Sequence, residues 1–112
     1  MTKVEEKSTG KIRAMKVMNK KFISKLNSEL ILQREVEIQK KLVHKNVIRL
    51  YDFFEDHQNY YLILEYAKNG NLYKYQKRMH KAKFAEKDAY YLFLQTCVGV
   101  EFLHNNDIIH RD

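Results

Sequence analysis

The 112-residue sequence contains no proline, no tryptophan, one cysteine and only three glycines. Because few residues mark turns, the boundaries of helices and strands are predicted only to within about two to four residues. The single cysteine, Cys97, excludes an internal disulfide, and its apolar neighbours predict a buried thiol in a reducing compartment. No apolar run approaches the ~20 residues that span a bilayer, and the polar N-terminus predicts no signal peptide. We therefore expect an intracellular protein without a membrane partner.

Positive charge exceeds negative charge along the chain. Lys and Arg number 21 against 14 Asp and Glu, which gives a formal net charge of +7. Such a balance favours acidic partners, nucleic acid among them, and several tyrosines are available to stack on bases: Tyr60, Tyr61, Tyr90 and Tyr91. The lysines are nevertheless spread along the chain, and no nucleic-acid-binding signature is present. We interpret the charge as a solvated surface and do not expect nucleic acid as a partner.

The hydrophobic pattern predicts an α+β fold, in which a small antiparallel sheet with one early helix precedes a helical region. Alternation in the first predicted strand places Lys16 on the same face as Ala14. A 4-3-4 spacing places Glu35 in the apolar stripe of the first helix, and this stripe comprises Ile31, Glu35, Ile38 and Leu42. Strands are predicted at 12–18, 47–54 and 60–66, and helices at 30–42, 71–79 and 86–105.

A lysine and a glutamate on facing apolar surfaces form the first functional signal. A strand lysine more often extends its ammonium into water, and a glutamate at a helix edge is common, so neither residue carries a function alone. If both are buried, each needs a counter-charge, and a pair of Lys16 with Glu35 would leave the ammonium positioned for phosphate oxygens. The second signal is His110-Arg111-Asp112, which follows a long amphipathic helix and a polar turn.

These motifs, in this order, resemble those of a protein kinase domain over almost the whole chain. Residues 13–16, Arg-Ala-Met-Lys, resemble the V-A-I-K motif of the third kinase strand. Glu35 matches the glutamate of kinase helix αC, residues 61–67 resemble the strand that leads into the hinge, and 102–112 resemble the end of αE and the catalytic loop. The resemblance implies a partial protein-kinase-like fold. An incomplete antiparallel N-lobe sheet with helix αC would occupy 1–67, and the first helices of the C-lobe would occupy 68–112.

Within that family the sequence is most similar to Aurora kinases. The similarity lies in residues 34–39, Arg-Glu-Val-Glu-Ile-Gln, in 48–51, Ile-Arg-Leu-Tyr, and in 61–67. Gln39 is the most informative of these, because most kinases carry an apolar residue at that position. Residues 68–75 are less similar, so the calcium/calmodulin-dependent and AGC groups stay open as alternatives. An Aurora-like parent implies a location in the cytoplasm or nucleus, at the spindle or centrosome.

The resemblance also implies a role for individual residues. Lys16 would hold the α- and β-phosphates of ATP and would itself be fixed by Glu35. The gatekeeper would be Leu64, and the packed column between lobes would comprise Gln39, Leu50 and His110. Asp112 would act as catalytic base towards the substrate hydroxyl, beside Lys16 as the other catalytic residue. The implied ATP-binding residues are Ala14 over the adenine ring, Lys16, Glu35, Leu64, and the hinge backbone at Glu65 and Ala67.

The 112 residues contain no G-x-G-x-x-G motif, no D-F-G motif and no metal-binding asparagine after Asp112. Because phosphoryl transfer relies on Mg²⁺ to neutralise phosphate charge, these residues by themselves are expected to lack metal ligands and to be inactive. The implied function is that of a piece of an ATP-dependent serine/threonine protein kinase, which transfers the γ-phosphate of ATP to protein hydroxyls and takes an activating protein partner. The alternative is a non-catalytic nucleotide-binding or interaction module.

Overall fold

The computed structural model describes residues 1–23, 26–79 and 83–112. These residues form two compact units, 1–43 with 48–66, and 44–47 with 67–112. The predicted division into lobes after residue 67 stays a prediction. The elements of the described residues are, in order, β1 (Thr2–Glu5), β2 (Ile12–Asn19), α1 (Lys20–Ile23), α2 (Leu26–Lys41), β3 (Leu50–Glu55), β4 (Asn59–Glu65), α3 (Leu72–Arg78) and α4 (Glu86–Asn105).

The first unit is built on an antiparallel sheet with the strand order β1-β2-β4-β3. The short connections of β1 to β2 and of β3 to β4 account for the antiparallel pairing of these two pairs. The turn between β1 and β2 ends at Gly10, whose φ of 69° lies in the left-handed region that favours glycine. In the register of β2 with β4, Ala14 lies opposite Leu64 and Lys16 lies opposite Leu62. The predicted fold class is confirmed, with one strand more than the hydrophobic pattern indicated.

Helix α2 covers one face of this sheet. The buried cluster combines Val36 of α2 with four sheet residues, and Met18, Leu32 and Phe53 pack against it. Because strand side chains alternate between faces, Lys16 shares this face with Ala14 and Met18, as predicted. The four sheet residues of the cluster are Ala14, Leu50, Leu62 and Leu64.

The inward stripe of α2 differs from the predicted one. Of the predicted stripe only Leu42 is buried, whereas Ile31 and Ile38 are 54% and 45% exposed. Val36 is buried and Leu32 is half-buried instead. The helix carries apolar residues on two neighbouring faces, so the spacing alone satisfies two stripes, and packing on the sheet selects the one that contains Val36. The placement of Glu35 inside the stripe is therefore wrong.

The second unit contains α3, α4 and the short segment 44–47. The side chain of Asn71 caps α3 by accepting the Lys74 N–H at 2.9 Å. The His44 ring stacks on Phe102 of α4 with centroids 4.6 Å apart. Across the ranges that the structure describes, every helix is too short or too polar to cross a bilayer.

Cys97 lies on an exposed face of α4, so the prediction of a buried thiol is wrong. The same helix buries only Gly99 and Leu103, while Phe93 is 65% exposed. The apolar spacing around Cys97 predicts the helix correctly, yet no described residue covers this part of its surface. Burial depends on a covering partner as well as on helical periodicity.

Candidate functional site

Ala14 and Leu64, the two apolar residues predicted to contact adenine, lie side by side. They form a cross-strand pair of β2 and β4, and both are buried. Directly opposed side chains on an antiparallel pair are in contact range. The small methyl group of Ala14 beside Leu64 gives this part of the sheet the apolar character that an adenine ring requires.

Lys16 and Glu35 are both exposed, so the premise that they are buried charges is wrong. Lys16 lies opposite the buried Leu62 on the face covered by α2. Glu35 directly precedes the buried Val36 and is turned from it by about 100° around the helix. Within residues 1–23, 26–79 and 83–112, no ion pair joins Lys16 to Glu35. Their functional pairing stays a prediction.

The backbone of Glu65 is anchored to the start of β3. Its N–H donates to the Arg49 carbonyl at 2.8 Å, and its carboxylate accepts the Arg49 N–H at 3.3 Å. Neither contact uses the Glu65 carbonyl, which is the group predicted to accept from adenine. The two contacts fix the orientation of the peptide unit without occupying that acceptor.

The predicted site residues of the second unit are Ala67 and Asp112. The Ala67 carbonyl accepts the Gly70 N–H at 3.0 Å, whereas its N–H, the predicted adenine donor, donates to no backbone oxygen of a described residue. Asp112 is exposed, and its N–H donates to His110 Nδ1 at 3.3 Å. Arg111 between them has a φ of 68°, an uncommon conformation for a residue other than glycine.

The residues of the predicted packed column have different environments. Leu50 is 2% exposed and belongs to the core of the first unit. Gln39 donates its side-chain amide to the Ile48 carbonyl at 3.3 Å, which explains why a polar residue is accommodated at this position. His110 is exposed in the second unit.

A contact that the sequence reasoning missed joins α2 to β4. The buried Tyr60 donates its hydroxyl to Glu29 in the first turn of α2 at 3.1 Å. Burial raises the pKa of Tyr60, and the hydrogen bond to Glu29 raises it further. Strand alternation could have revealed this contact, because it places Tyr60 on the same face as Leu62 and a buried hydroxyl requires a partner.

The described residues contain no group of three His, Cys, Asp or Glu side chains that could hold a metal ion. The roles discussed below involve only the apolar, cationic and carboxylate groups of this chain.

The family described as Protein kinase domain matches residues 1–112. This chain belongs to the protein kinase family. It is 43% identical over 109 residues to an Aurora kinase of Debaryomyces hansenii and 40% identical over 108 residues to one of Schizosaccharomyces pombe. It is also 38% identical over 105 residues to the SNF1-related protein kinase catalytic subunit alpha KIN12 of Arabidopsis thaliana.

These matches cover 97%, 96% and 94% of this kinase chain, but only 26%, 30% and 21% of the respective relatives. The chain therefore spans between a fifth and a third of the length of these relatives. The predicted membership of the kinase family and the similarity to Aurora kinases are confirmed. The roles of individual site residues stay predictions.

Proposed function

We propose that this chain is part of an ATP-dependent serine/threonine protein kinase. The observation that carries the proposal is the arrangement of β2 and β4, where the buried pair Ala14 and Leu64 is followed on the same face by the exposed Lys16. A pair of apolar side chains two residues from an exposed ammonium suits a ligand with an aromatic ring at one end and phosphates at the other.

In the proposed mechanism, Ala14 and Leu64 bind the adenine ring, and the hinge backbone at Glu65 and Ala67 orients it. Lys16 binds the α- and β-phosphates through its ammonium. Mg²⁺, when bound in the intact domain, supplies neutralisation of phosphate charge through ligands outside these 112 residues. Glu35 positions Lys16, which requires a rearrangement from the structure, where the two are unpaired.

Asp112 is proposed to orient the serine or threonine hydroxyl of a protein substrate and to accept its proton. An exposed carboxylate is available for this role. From the similarity to Aurora kinases we further propose an activating protein partner and a location at the spindle or centrosome. The 112 residues by themselves are proposed to bind nucleotide without transferring phosphate.

The proposal is tested by titrating the 112-residue chain with a fluorescent ATP analogue. Lys16→Met is expected to weaken binding by roughly ten- to a hundredfold, since a hydrogen bond to a charged group contributes ~1.5–3 kcal/mol. Lys41→Met, which removes an exposed lysine at the end of α2, is the matched control and should leave binding unchanged. In the same preparation, labelled γ-phosphate should not reach a serine/threonine peptide above the Lys16→Met background.

Equal nucleotide affinity in the native chain and in Lys16→Met would refute the role of Lys16. The complete absence of nucleotide binding by the native chain would favour the non-catalytic interaction module instead. Phosphate transfer above the Lys16→Met background would contradict the proposed inactivity of the 112 residues, while supporting the kinase function itself.

A further inference from the structure

A cavity of about 320 Å³ lies between α3 and α4, wholly within the second unit. Its volume is at the lower end of the range for small-ligand pockets, so it has room for one compact group. The residues assigned above to ATP or substrate do not line it. Those that determine its chemistry are Leu72, Tyr75, Phe84, Asp88, Tyr91 and Leu92.

Three aromatic side chains contribute to the cavity wall. The rings of Tyr75 and Phe84 lie nearly parallel, at 15° with centroids 6.4 Å apart, and Tyr91 joins them from α4. The faces of aromatic rings carry partial negative charge, so a cation near several such rings is attracted electrostatically. The wall therefore favours a cationic group over an anionic one.

Among the lining residues that the structure describes, only Asp88 carries a charge. It lies in the first turn of α4, where the helix dipole stabilises a carboxylate. None of the ion pairs found in the described part of the chain involves Asp88. A carboxylate without a paired cation, next to three aromatic rings, is the charge complement of a ligand cation.

We propose that this cavity binds a quaternary ammonium group, carried by a trimethylated lysine side chain of a protein partner. An unmodified ammonium is strongly hydrated, and Asp88 can replace only part of the water bound to its three N–H donors. A carbonyl at the cavity, that of Asn69, already accepts the Arg78 guanidinium at 2.6 Å. A trimethylated nitrogen has no N–H, so it enters an aromatic wall without leaving donors unsatisfied.

The openness of the cavity favours a peptide-borne group over a free small molecule. Tyr91 is 64% exposed and Leu72 is 49% exposed, so the cavity cannot enclose its ligand. Free small ligands usually bury most of their surface. A lysine side chain reaches the rings through its aliphatic stem, while the flanking peptide adds contacts outside the cavity.

The test uses the 112-residue chain and two fluorescein-labelled peptides, Gly-Ala-Lys-Ala-Gly with the lysine either trimethylated or unmodified. Fluorescence anisotropy should show at least tenfold tighter binding of the trimethylated peptide. Tetramethylammonium chloride should compete with that peptide, and its addition should shift the NMR signals of Phe84, Asp88 and Tyr91. Free choline should bind more weakly than the trimethylated peptide.

The chain provides a matched control for each variant. Tyr90 and Tyr91 are neighbours in α4 with 66% and 64% exposure, and only Tyr91 lines the cavity. Glu86 and Asp88 share the first turn of α4, and only Asp88 lines the cavity. Tyr91→Ala and Asp88→Asn should each weaken binding about tenfold, as expected for loss of a cation contact. Tyr90→Ala and Glu86→Gln should change it by less than roughly twofold.

Three results would overturn the proposal. The first is equal binding of the two peptides, and the second is an equal loss of affinity in the variants and their controls. The third is free choline binding as tightly as the trimethylated peptide, which would show that the cavity recognises a small molecule rather than a peptide. Asp88→Asn removes the charge of an exposed side chain without changing its shape. This variant therefore tests the proposal even if Tyr91→Ala does not fold.

Discussion

At the scale of single residues, Asp56 organises the hairpin between β3 and β4. Its carboxylate accepts the Tyr61 hydroxyl at 2.7 Å and the backbone N–H groups of Gln58 and Asn59 at 2.8 and 2.7 Å. The hydrogen bond from Tyr61 lowers the pKa of Asp56 most, followed by the two backbone N–H groups. The ionised carboxylate is thus the form that closes the loop.

The stability of this hairpin should depend on pH. Because the folded pKa of Asp56 lies below its ordinary value of 3.8, its stabilisation is complete above that value. It is lost as the pH falls through the lowered folded pKa. The urea midpoint of the native chain should fall between neutral and acidic pH as this stabilisation is lost. In Asp56→Asn the part of that fall which comes from Asp56 should be absent.

The control is Glu101→Gln, a change at an exposed acid on α4. The fall of its urea midpoint at acidic pH should equal that of the native chain. An NMR titration of the Asp56 carboxyl should give a midpoint below 3.8. An NMR midpoint at the ordinary value would contradict the role of Asp56 in stabilising the hairpin. An equal fall of the urea midpoint at acidic pH in the native chain and in Asp56→Asn would contradict it too.

In this chain, strand alternation predicts the face on which a side chain lies better than helical spacing does. It places Ala14 and Lys16 on one face, and the register with Leu64 and Leu62 agrees. Helical spacing does not place Glu35, because α2 offers two apolar stripes. Which one faces inward depends on contacts with the sheet, which are distant in sequence.

At the scale of elements, the long helix is predicted best. Its predicted range, 86–105, agrees with α4, and the predicted helix 71–79 contains α3 with its two capping residues. Neither β1 nor α1 is predicted as a separate element. In β1 only Val4 is half-buried, so its strand state depends on pairing with β2. Helix α1 has four residues, too few for an apolar period to show.

Gly99 shows how one element constrains another. A Cβ atom at Gly99 would lie 2.9 Å from the backbone oxygen of Asn46, closer than real Cβ contacts. Replacing a helical glycine by alanine ordinarily stabilises a helix by about 1 kcal/mol. Gly99→Ala should instead destabilise the chain by about 1–3 kcal/mol, because segment 44–47 must move away.

Urea unfolding of the Gly99→Ala variant measures this effect. Thr96→Ala, an alanine substitution at an exposed position one turn earlier in α4, is the control and should stabilise the chain slightly, by up to about 0.7 kcal/mol. An increase in the urea midpoint of Gly99→Ala would show that Asn46 does not contact α4 in solution.

At the scale of the whole molecule, apolar surface is abundant. Buried apolar residues form one cluster in the first unit, while α4 of the second unit exposes Phe93 and Cys97. Together with Val100 these residues form the apolar part of a groove on α4, which is also lined by Thr96, Glu101, His104 and Asn105. Contiguous apolar surface of this kind promotes association.

We expect the 112-residue chain to self-associate through this groove. Phe93→Ser should lower the association measured by sedimentation velocity, because it removes the largest apolar side chain of the groove. Phe22→Ser is the control, since Phe22 is 91% exposed in α1 but does not line the groove. A monomeric native chain with a sharp two-state thermal transition would contradict this expectation.

The strand order has a consequence for how the lysine and glutamate of this kinase chain could meet. Strand β2, which carries Lys16, is interior and bonded on both sides, whereas α2 lies on one face of the sheet. Local opening costs more for an interior strand than for an element held by fewer contacts. If the proposed pair forms, we expect Lys16 to keep its place in β2 and the helix that carries Glu35 to make the adjustment.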